Sequence, residues 1–276
     1  MRAAAQSPRP TDSPRIAILF QEEPVFLGPF LRDVIARRPE CVVAVFHAGR
    51  RSGGERRRTW RERLRSLRTY WLVLEPRGFL LSIALRLRSR FLGPCDPRSV
   101  VGVARRFAIP VYSVSNPNSK EFRALLRRWD PDVVLNQSEL VLRRDILSVP
   151  RLGFLNRHAS LLPHFRGRLA SFWSHAAEPS EYGFTFHRIS EELDAGPIVL
   201  QHRIDDIDPR WSYPRVIGRL MRDAADRFWT AIEILGSPNF TPRSFTLDEK
   251  PKRFPRLGEA RRYREVLAER RSRRAR

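Results

Sequence analysis

The chain reads Phe154-Leu155-Asn156-Arg157-His158-Ala159-Ser160-Leu161-Leu162-Pro163 near its middle, and this stretch decides the fold. Its apolar start predicts a buried strand, in which every second side chain points the same way. Asn156 and His158 are therefore expected to lie side by side. Because proline removes a ladder donor, Pro163 places this pair where the strand gives way to a loop. Strand ends of open α/β sheets are where ligands bind, so the stretch predicts a functional site.

Two further segments follow it in order. Gly183-Phe184-Thr185-Phe186-His187 comes first, and Leu193-Asp194-Ala195-Gly196-Pro197-Ile198 comes second, with Asp194 lying 194 − 163 = 31 positions after Pro163. Together with the N-x-H pair and the S-L-L-P loop, this order and spacing resembles the folate-dependent formyltransferase family. That family includes glycinamide ribonucleotide formyltransferase and methionyl-tRNA formyltransferase. The resemblance is strongest between residues 131 and 204.

The resemblance implies transfer of a formyl group from 10-formyltetrahydrofolate to an amine, through a tetrahedral carbon that carries an oxyanion. Asn156 is then the donor to the oxyanion, since a carboxamide donates without ionising. His158 titrates near neutral pH and is the general base or a cationic stabiliser. Asp194 orients and charge-stabilises the imidazole, and the reaction requires no metal. Taken singly, an Asn or a His at a strand end is more often a structural polar group than a catalyst, and Asp194 has the alternative of a turn residue.

The resemblance also implies a binding surface for the folate co-substrate. In the family, the segment matching residues 139–142 packs around the pterin ring through backbone groups. From sequence alone that segment is equally a plain loop or a helix start. His187 is expected either to line the site or to be a core histidine. The residues predicted to bind the co-substrate are Glu139, Leu140, Val141, Leu142, Ser160, Leu161, Leu162, Pro163 and Ser190.

Strand-like and helix-like segments alternate along the chain. Residues 15–20 and 41–46 read as buried strands on either side of a helix at 25–38, and the alternation resumes from residue 96 to residue 235. This order predicts the α/β class, with a Rossmann-like, mostly parallel sheet and helices on both faces. We also predict a helical insertion and a short C-terminal extension of this fold. No G-x-G-x-x-G follows the first strand, which argues against a nicotinamide cofactor.

The predicted organisation is a disordered lead at 1–14, a catalytic domain at 15–236 with an insertion at about 50–95, and a basic extension at 237–276. Within the insertion, residues 70–92 are apolar but carry too many charges for a membrane span. Two interpretations stay open. The segment is a helix packed on the domain or against a second copy in a homodimer, or it is a surface helix in an anionic bilayer interface.

Charge and cysteine content limit partners and compartment. Lys and Arg exceed Asp and Glu by 52 − 30 = 22, which favours anionic ligands or surfaces. Nucleic acid is not the expected partner, because basic and aromatic residues do not interleave as on a stacking platform. Cys41 and Cys95 have no C-x-x-C spacing and are expected to be ordinary thiols. With no apolar signal segment at 1–14, we predict a cytoplasmic protein.

The expected acceptor is a primary amine of a small, anionic molecule, with an amino-sugar nucleotide as the leading choice. Arg166-Gly167 is like the formyltransferases acting on methionyl-tRNA and amino-sugar nucleotides, whereas Leu-Asp-Ala-Gly-Pro-Ile is closer to the purine-pathway type. After Ile207 there are 276 − 207 = 69 residues, which we expect to be too few for the helix and barrel of methionyl-tRNA formyltransferases. The alternatives are a formyltetrahydrofolate hydrolase and a non-catalytic basic protein, associated with membranes or nucleic acid, that retains the fold.

Overall fold

A computed structural model describes residues 13–21, 23, 25–49, 59–93, 96–97, 99–247 and 249–273. Within these residues the strands are β1 (Ile16–Phe20), β2 (Val42–Ala48), β3 (Val111–Val114), β4 (Val133–Gln137), β5 (Phe154–His158), β6 (Gly183–Arg188) and β7 (Ile198–Arg203). The helices are α1 (Leu27–Arg37), α2 (Trp60–Leu92), α3 (Val100–Arg106), α4 (Lys120–Trp129), α5 (Arg144–Leu147), α6 (Ala170–Ala176), α7 (Tyr213–Gly236) and α8 (Leu257–Ser272). A short 3-10 helix, Pro39–Cys41, precedes β2.

The strands form one sheet in the order β3-β2-β1-β4-β5-β6-β7. Strands β1 to β5 are parallel, whereas β6 is antiparallel to both β5 and β7. The winding reverses between β1 and β4, and the carboxyl ends of strands beside such a reversal form the usual ligand crevice of α/β sheets. The predicted α/β class, with a mostly parallel sheet and helices on both faces, is confirmed.

Both faces of the sheet are buried because the central strands are continuous apolar runs. In β1 every residue is buried, and alternate side chains enter different cores. Ile16, Ile18 and Phe20 pack into the core under α1 and α7, while Ala17 and Leu19 pack into the core under α4. The sheet is therefore a rigid layer that fixes where its strand ends point.

The predicted insertion contains one long, kinked helix. Helix α2 begins with a reciprocal cap in which Thr59 and Glu62 each bond the other's backbone N–H through their side chains. Glu75 leaves helical geometry, with φ 58°, immediately before Pro76. One side of α2 packs on α7 and α8, as the first interpretation of residues 70–92 expects, while the other side is exposed and leaves the second interpretation open. Residues 50–58 lie outside the described part of the chain.

The chain after α7 returns to the domain. Lys252 pairs beside the loop that follows β5: its N–H donates to the Arg166 carbonyl at 2.6 Å, and its carbonyl accepts from the Arg168 N–H at 2.8 Å. Helix α8 then packs against α2 and α6 and buries Tyr263 completely. The described residues after α7 thus pack on the rest of the fold, and the predicted boundary at residues 236/237 stays a prediction.

Two predictions fall partly outside the described residues. Residues 1–12 of the predicted lead and Cys95 are not among them. Cys41 is described, and it is a buried free thiol, as expected. Burial, together with the neighbouring Glu40 carboxylate, raises the pKa of that thiol and makes it unreactive.

Candidate active site

The polar end of β5 faces polar residues of β6. Asn156 lies opposite His187, and His158 lies opposite Thr185, in the antiparallel register of the two strands. Asn156 and His158 continue the row begun by Phe154, whose ring is in the core under α4. Where that core ends, the same row becomes polar, so the strand period places the amide and the imidazole side by side as predicted.

The orientation of the Asn156 amide is fixed by a chain of hydrogen bonds that starts at an arginine. Arg157 Nε donates to Gln137 Oε1 at 3.1 Å, and Gln137 Nε2 donates to Asn156 Oδ1 at 3.2 Å. Because an arginine can only donate, this order leaves Nδ2 of Asn156 pointing the other way. There it lies 3.1 Å from His187 Nε2 and 3.4 Å from Asp194 Oδ1.

One ring nitrogen of His158 donates a hydrogen bond to the backbone, and the other faces a carboxylate. Nε2 lies 3.2 Å from the Phe165 carbonyl, which can only accept, so Nε2 carries a proton. In the neutral ring Nδ1 then has no proton and carries a lone pair, and it lies 3.6 Å from Asp194 Oδ2. Burial lowers the pKa of His158, and the Asp194 charge acts against that lowering. The ring is therefore neutral at rest, and a proton accepted at Nδ1 would be held beside a carboxylate.

His187 supports Asn156 and is neutral. Its Nδ1 donates to the Arg188 carbonyl at 3.0 Å, which makes Nε2 the acceptor for Asn156 Nδ2. Burial, and next the neighbouring His158, lower the pKa of His187 to about 4. With only 2% of the residue exposed, His187 is a core histidine that also lines the site, so the two interpretations offered for it hold together.

Asp194 is held by its backbone and by a loop from another part of the fold. It has φ 47°, a left-handed conformation that Asp tolerates better than most residues. Its Oδ2 accepts the Gly167 N–H at 2.8 Å. Buried Arg166 donates to the Leu193 carbonyl from Nε at 3.1 Å, which fixes the turn before Asp194. A Cβ on Gly196 would lie 1.8 Å from the Arg188 carbonyl oxygen, so only glycine lets this turn close on β6.

Thr185 of β6 fixes the S-L-L-P loop by hydrogen bonds to its backbone. Thr185 Oγ1 donates to the Ser160 carbonyl at 2.8 Å and accepts from the Leu162 N–H at 3.1 Å. Ser160 and Leu162 are buried, so their side chains support the loop, while Leu161 and Pro163 are half-buried. A cavity of about 320 Å³ opens beside this loop, and it is lined by Leu161, Leu162, Pro163, His164, Glu181, Gln201 and Arg203.

The remaining predicted folate residues lie on two loops at the rim. Val141 and Leu193 are large apolar side chains with 63% and 54% exposure, one on the loop after β4 and one on the loop after β6. Leu142 is buried in the core under α4, and Leu140 packs against that core. An ion pair between Glu139 and Arg168, 2.7 Å, joins the β4 loop to the loop that carries Arg166 and Gly167.

Ser190 and a second cavity lie apart from the S-L-L-P loop. The Ser190 hydroxyl donates to the Glu192 carbonyl at 3.0 Å, so it stabilises the turn before Asp194. A larger cavity, about 530 Å³, lies elsewhere, between β7 and the end of α7, and its lining includes Ile198, Ile234 and Phe240. Asn156, His158 and Asp194 line neither this cavity nor the one beside the S-L-L-P loop, so cavity size alone would have pointed away from these three residues.

Sequence reasoning found Asn156, His158 and Asp194, and the structure brings these three together. It missed the Gly167 amide, the Phe165 carbonyl and Gln137, all of which orient them. A signal for Gln137 existed, because Asn136-Gln137 ends β4, which is parallel to β5 and in register with it. The backbone groups of Phe165 and Gly167 leave no mark in the side-chain pattern.

Comparisons with known proteins show which family this chain is similar to. The family model described as formyl transferase matches residues 96–228. A methionyl-tRNA formyltransferase of Methylobacterium nodulans is 35% identical over 151 residues, covering 54% of this chain and 48% of that protein. One of Thermotoga maritima is 36% identical over 146 residues, covering 52% and 46%. The chain thus spans about half the length of these curated relatives.

The fold is also that of a solved structure. Glycinamide ribonucleotide transformylase 1 of Symbiobacterium toebii superposes with a TM-score of 0.54 at 18% identity, covering 85% of this chain and 95% of that one. At this identity the likeness concerns the fold. With the family match and the curated relatives, the resemblance to the formyltransferase family predicted from sequence is confirmed.

Proposed function

The chain is related to the formyl transferase family through residues 96–228, and we propose that it is an enzyme that transfers a formyl group from 10-formyltetrahydrofolate to a primary amine of a small molecule. The observation that carries this proposal is the convergence of Asn156, His158 and Asp194 at the carboxyl end of β5. A donor for an oxyanion and an acceptor for a proton are what acyl transfer to an amine needs.

In the proposed reaction His158 takes the proton of the attacking amine on Nδ1, since Nε2 already donates to the Phe165 carbonyl. The imidazolium then lies between that carbonyl and the Asp194 carboxylate, both of which stabilise its charge. As the new carbon–nitrogen bond forms and the bond to the folate nitrogen breaks, the proton passes to the leaving nitrogen. His158 is neutral again at the end of the cycle.

Asn156 is proposed to stabilise the oxyanion. Its Nδ2 carries two protons, one directed at His187 over 3.1 Å and one at Asp194 over the longer 3.4 Å. The longer contact is the one that can be exchanged for the formyl oxygen, while His187 and Gln137 hold the amide in place. One donor of this kind is worth about 3–4 kcal/mol of barrier in other enzymes.

The rim loops support the proposed folate site. Exposed Val141 and Leu193 offer apolar surface of the kind a flat heteroaromatic ring covers. The Glu139–Arg168 ion pair and the Arg166 bond to the Leu193 carbonyl link the two loops into one rim. Glu139 to Leu142, Ser160 to Pro163 and Ser190 are accordingly proposed to hold the co-substrate, chiefly through their backbone.

A small acceptor is supported by the cavity beside the S-L-L-P loop. Its volume of about 320 Å³ is in the range of small-molecule sites. Arg203 is the arginine of that lining and is paired with Glu181 at 2.9 Å, so an anionic group of the acceptor would bind it in exchange for that carboxylate. An amino-sugar nucleotide has both the amine and the phosphates that such a lining suits, and it remains our first choice of acceptor.

The test is mass spectrometry of an amine-metabolite mixture incubated with the purified chain and 10-formyltetrahydrofolate. We expect one class of small amine to gain one carbonyl, and no gain with His158→Ala. Methionyl-tRNA is included as a separate acceptor, since it appears in the names of the curated relatives. Formylation of methionyl-tRNA alone would overturn the small-molecule acceptor, and release of formate without any amine would indicate the hydrolase.

A further inference from the structure

Helix α2 presents an apolar surface that the domain does not cover. Among the described residues, thirteen large hydrophobic side chains are exposed, and ten of them are on this one helix. The two most exposed are Phe91 with 82% and Trp60 with 66% exposure. The ten are Trp60, Leu64, Leu67, Trp71, Leu80, Leu81, Ile83, Leu87, Phe91 and Leu92. A surface this apolar on a single element indicates a partner.

The exposed side chains form a stripe on each half of the kinked helix. Before the kink they are Trp60, Leu64, Leu67 and Trp71, at intervals of four, three and four residues, which is the spacing of one helix face. After it, Leu80, Leu87 and Phe91 follow the same rule, while Leu81, Ile83 and Leu92 lie to the sides of that row. We call these two rows together the α2 stripe.

The opposite side of α2 is anchored on the domain. Val73 and Leu74 are in the main core, and Tyr70 stacks against Phe254 with ring centroids 5.0 Å apart. Glu75, at the kink, pairs with Arg271 of α8 at 3.0 Å. The helix is therefore a fixed part of the surface, and the α2 stripe is presented outward.

Arginines flank the α2 stripe on both sides. The helix contains eight arginines and two glutamates, and Glu75 is already paired with α8. By helical geometry Arg63 and Arg61 lie on either side of the first row, and Arg90 and Arg77 lie on either side of the second. An apolar row between two basic edges is the arrangement of helices that lie in an anionic bilayer surface.

We propose that the α2 stripe docks the protein on an anionic lipid bilayer, with the apolar row among the acyl chains and the arginines at the headgroups. No described helix is long and apolar enough to cross a membrane, so this contact is peripheral. A second copy of the chain is a poorer partner, because a two-fold contact on this face would bring its arginines against one another. Nucleic acid would use the arginines but leave the apolar row in water.

The test is flotation of the full chain with vesicles of phosphatidylcholine alone and of phosphatidylcholine mixed with phosphatidylglycerol. We expect binding to the mixed vesicles only, reduced at high ionic strength. Arg77→Gln/Arg90→Gln should weaken it about thirtyfold, at about fivefold for each arginine near the surface. Leu87→Ser/Phe91→Ser should weaken it at least about tenfold, since binding scales with buried apolar area.

The matched control is Arg261→Gln/Arg262→Gln, an equal loss of charge at exposed positions of α8, which should bind as the parent does. If Leu87→Ser/Phe91→Ser binds the mixed vesicles as tightly as the parent, the apolar row does not contribute and binding is only electrostatic adsorption of a basic protein. That result would overturn the proposal. A dimer in solution that this double variant dissociates would overturn it as well, as would tighter binding to an RNA oligonucleotide that competes with vesicles. None of these measurements depends on formyl transfer.

Discussion

Asp194→Asn is the most informative change at the proposed active site. It keeps the size of the side chain and an oxygen for the Gly167 N–H, but it removes the negative charge 3.6 Å from His158 Nδ1. At an effective dielectric constant of about 20, a unit charge at that distance stabilises an imidazolium by about 4–5 kcal/mol. The rate of formyl transfer should therefore fall about a thousandfold.

The same change predicts a shift in the pH–rate profile. Asp194 raises the pKa of His158 against the lowering by burial, so without its charge the pKa falls further. The acid limb of the pH–rate profile should move to lower pH, because His158 stays neutral over a wider pH range. The maximal rate should drop, because the imidazolium formed during the reaction is less stable.

The measurement is single-turnover formyl transfer across pH, with thermal unfolding to verify the fold. Glu191→Gln is the matched control: it removes one carboxylate three positions away, at an exposed site, and should react as the parent does. If Asp194→Asn retains activity within tenfold of the parent, or loses it with no movement of the acid limb, the assignment of Asp194 to the imidazolium is wrong.

Three further changes follow from single contacts. Asn156→Ala removes the proposed oxyanion donor and should lower kcat by about a hundredfold to a thousandfold with little change in KM. Gly167→Ala should lower the free energy of unfolding by about 3 kcal/mol, because φ is +97° and the added Cβ would lie 2.3 Å from the Lys252 carbonyl oxygen. Burial lowers the pKa of His175 to about 4, below its ordinary value of 6.5, so protonation favours the unfolded state. Stability is then full above about pH 6.5 and falls towards pH 4 by up to about 3 kcal/mol, a slope that His175→Gln should reduce in urea titrations.

Each of these has a control within the chain. Asn239→Ala, at an exposed position away from β5, should leave kcat unchanged. Gly258→Ala meets no atom within 4 Å and should be neutral or slightly stabilising, whereas equal effects at both glycines would contradict the packing argument. For the pH slope the control is Asn239→Ala, which removes no titratable group and should unfold with the pH dependence of the parent.

The order of strands and helices was predictable because burial is a local property of these segments. β1 is an unbroken apolar run, and α7 repeats its apolar residues at helical intervals, so the local sequence of each segment predicts whether it is a strand or a helix. Asn156 and His158 were found for the same reason, since two positions along a strand always share a side. Asp194 was found by resemblance, not by geometry.

The sequence by itself therefore determined the elements, the α/β class and the pairing of the amide with the imidazole. Only the tertiary structure decided which way those groups face. His187 is set against Asn156 by the register of β5 and β6, and the Gly167 N–H that holds Asp194 is kept in place by Lys252, 252 − 167 = 85 positions along the chain. The physical reason is that hydrogen bonds between distant segments depend on how packed elements align, and alignment is a property of the whole fold.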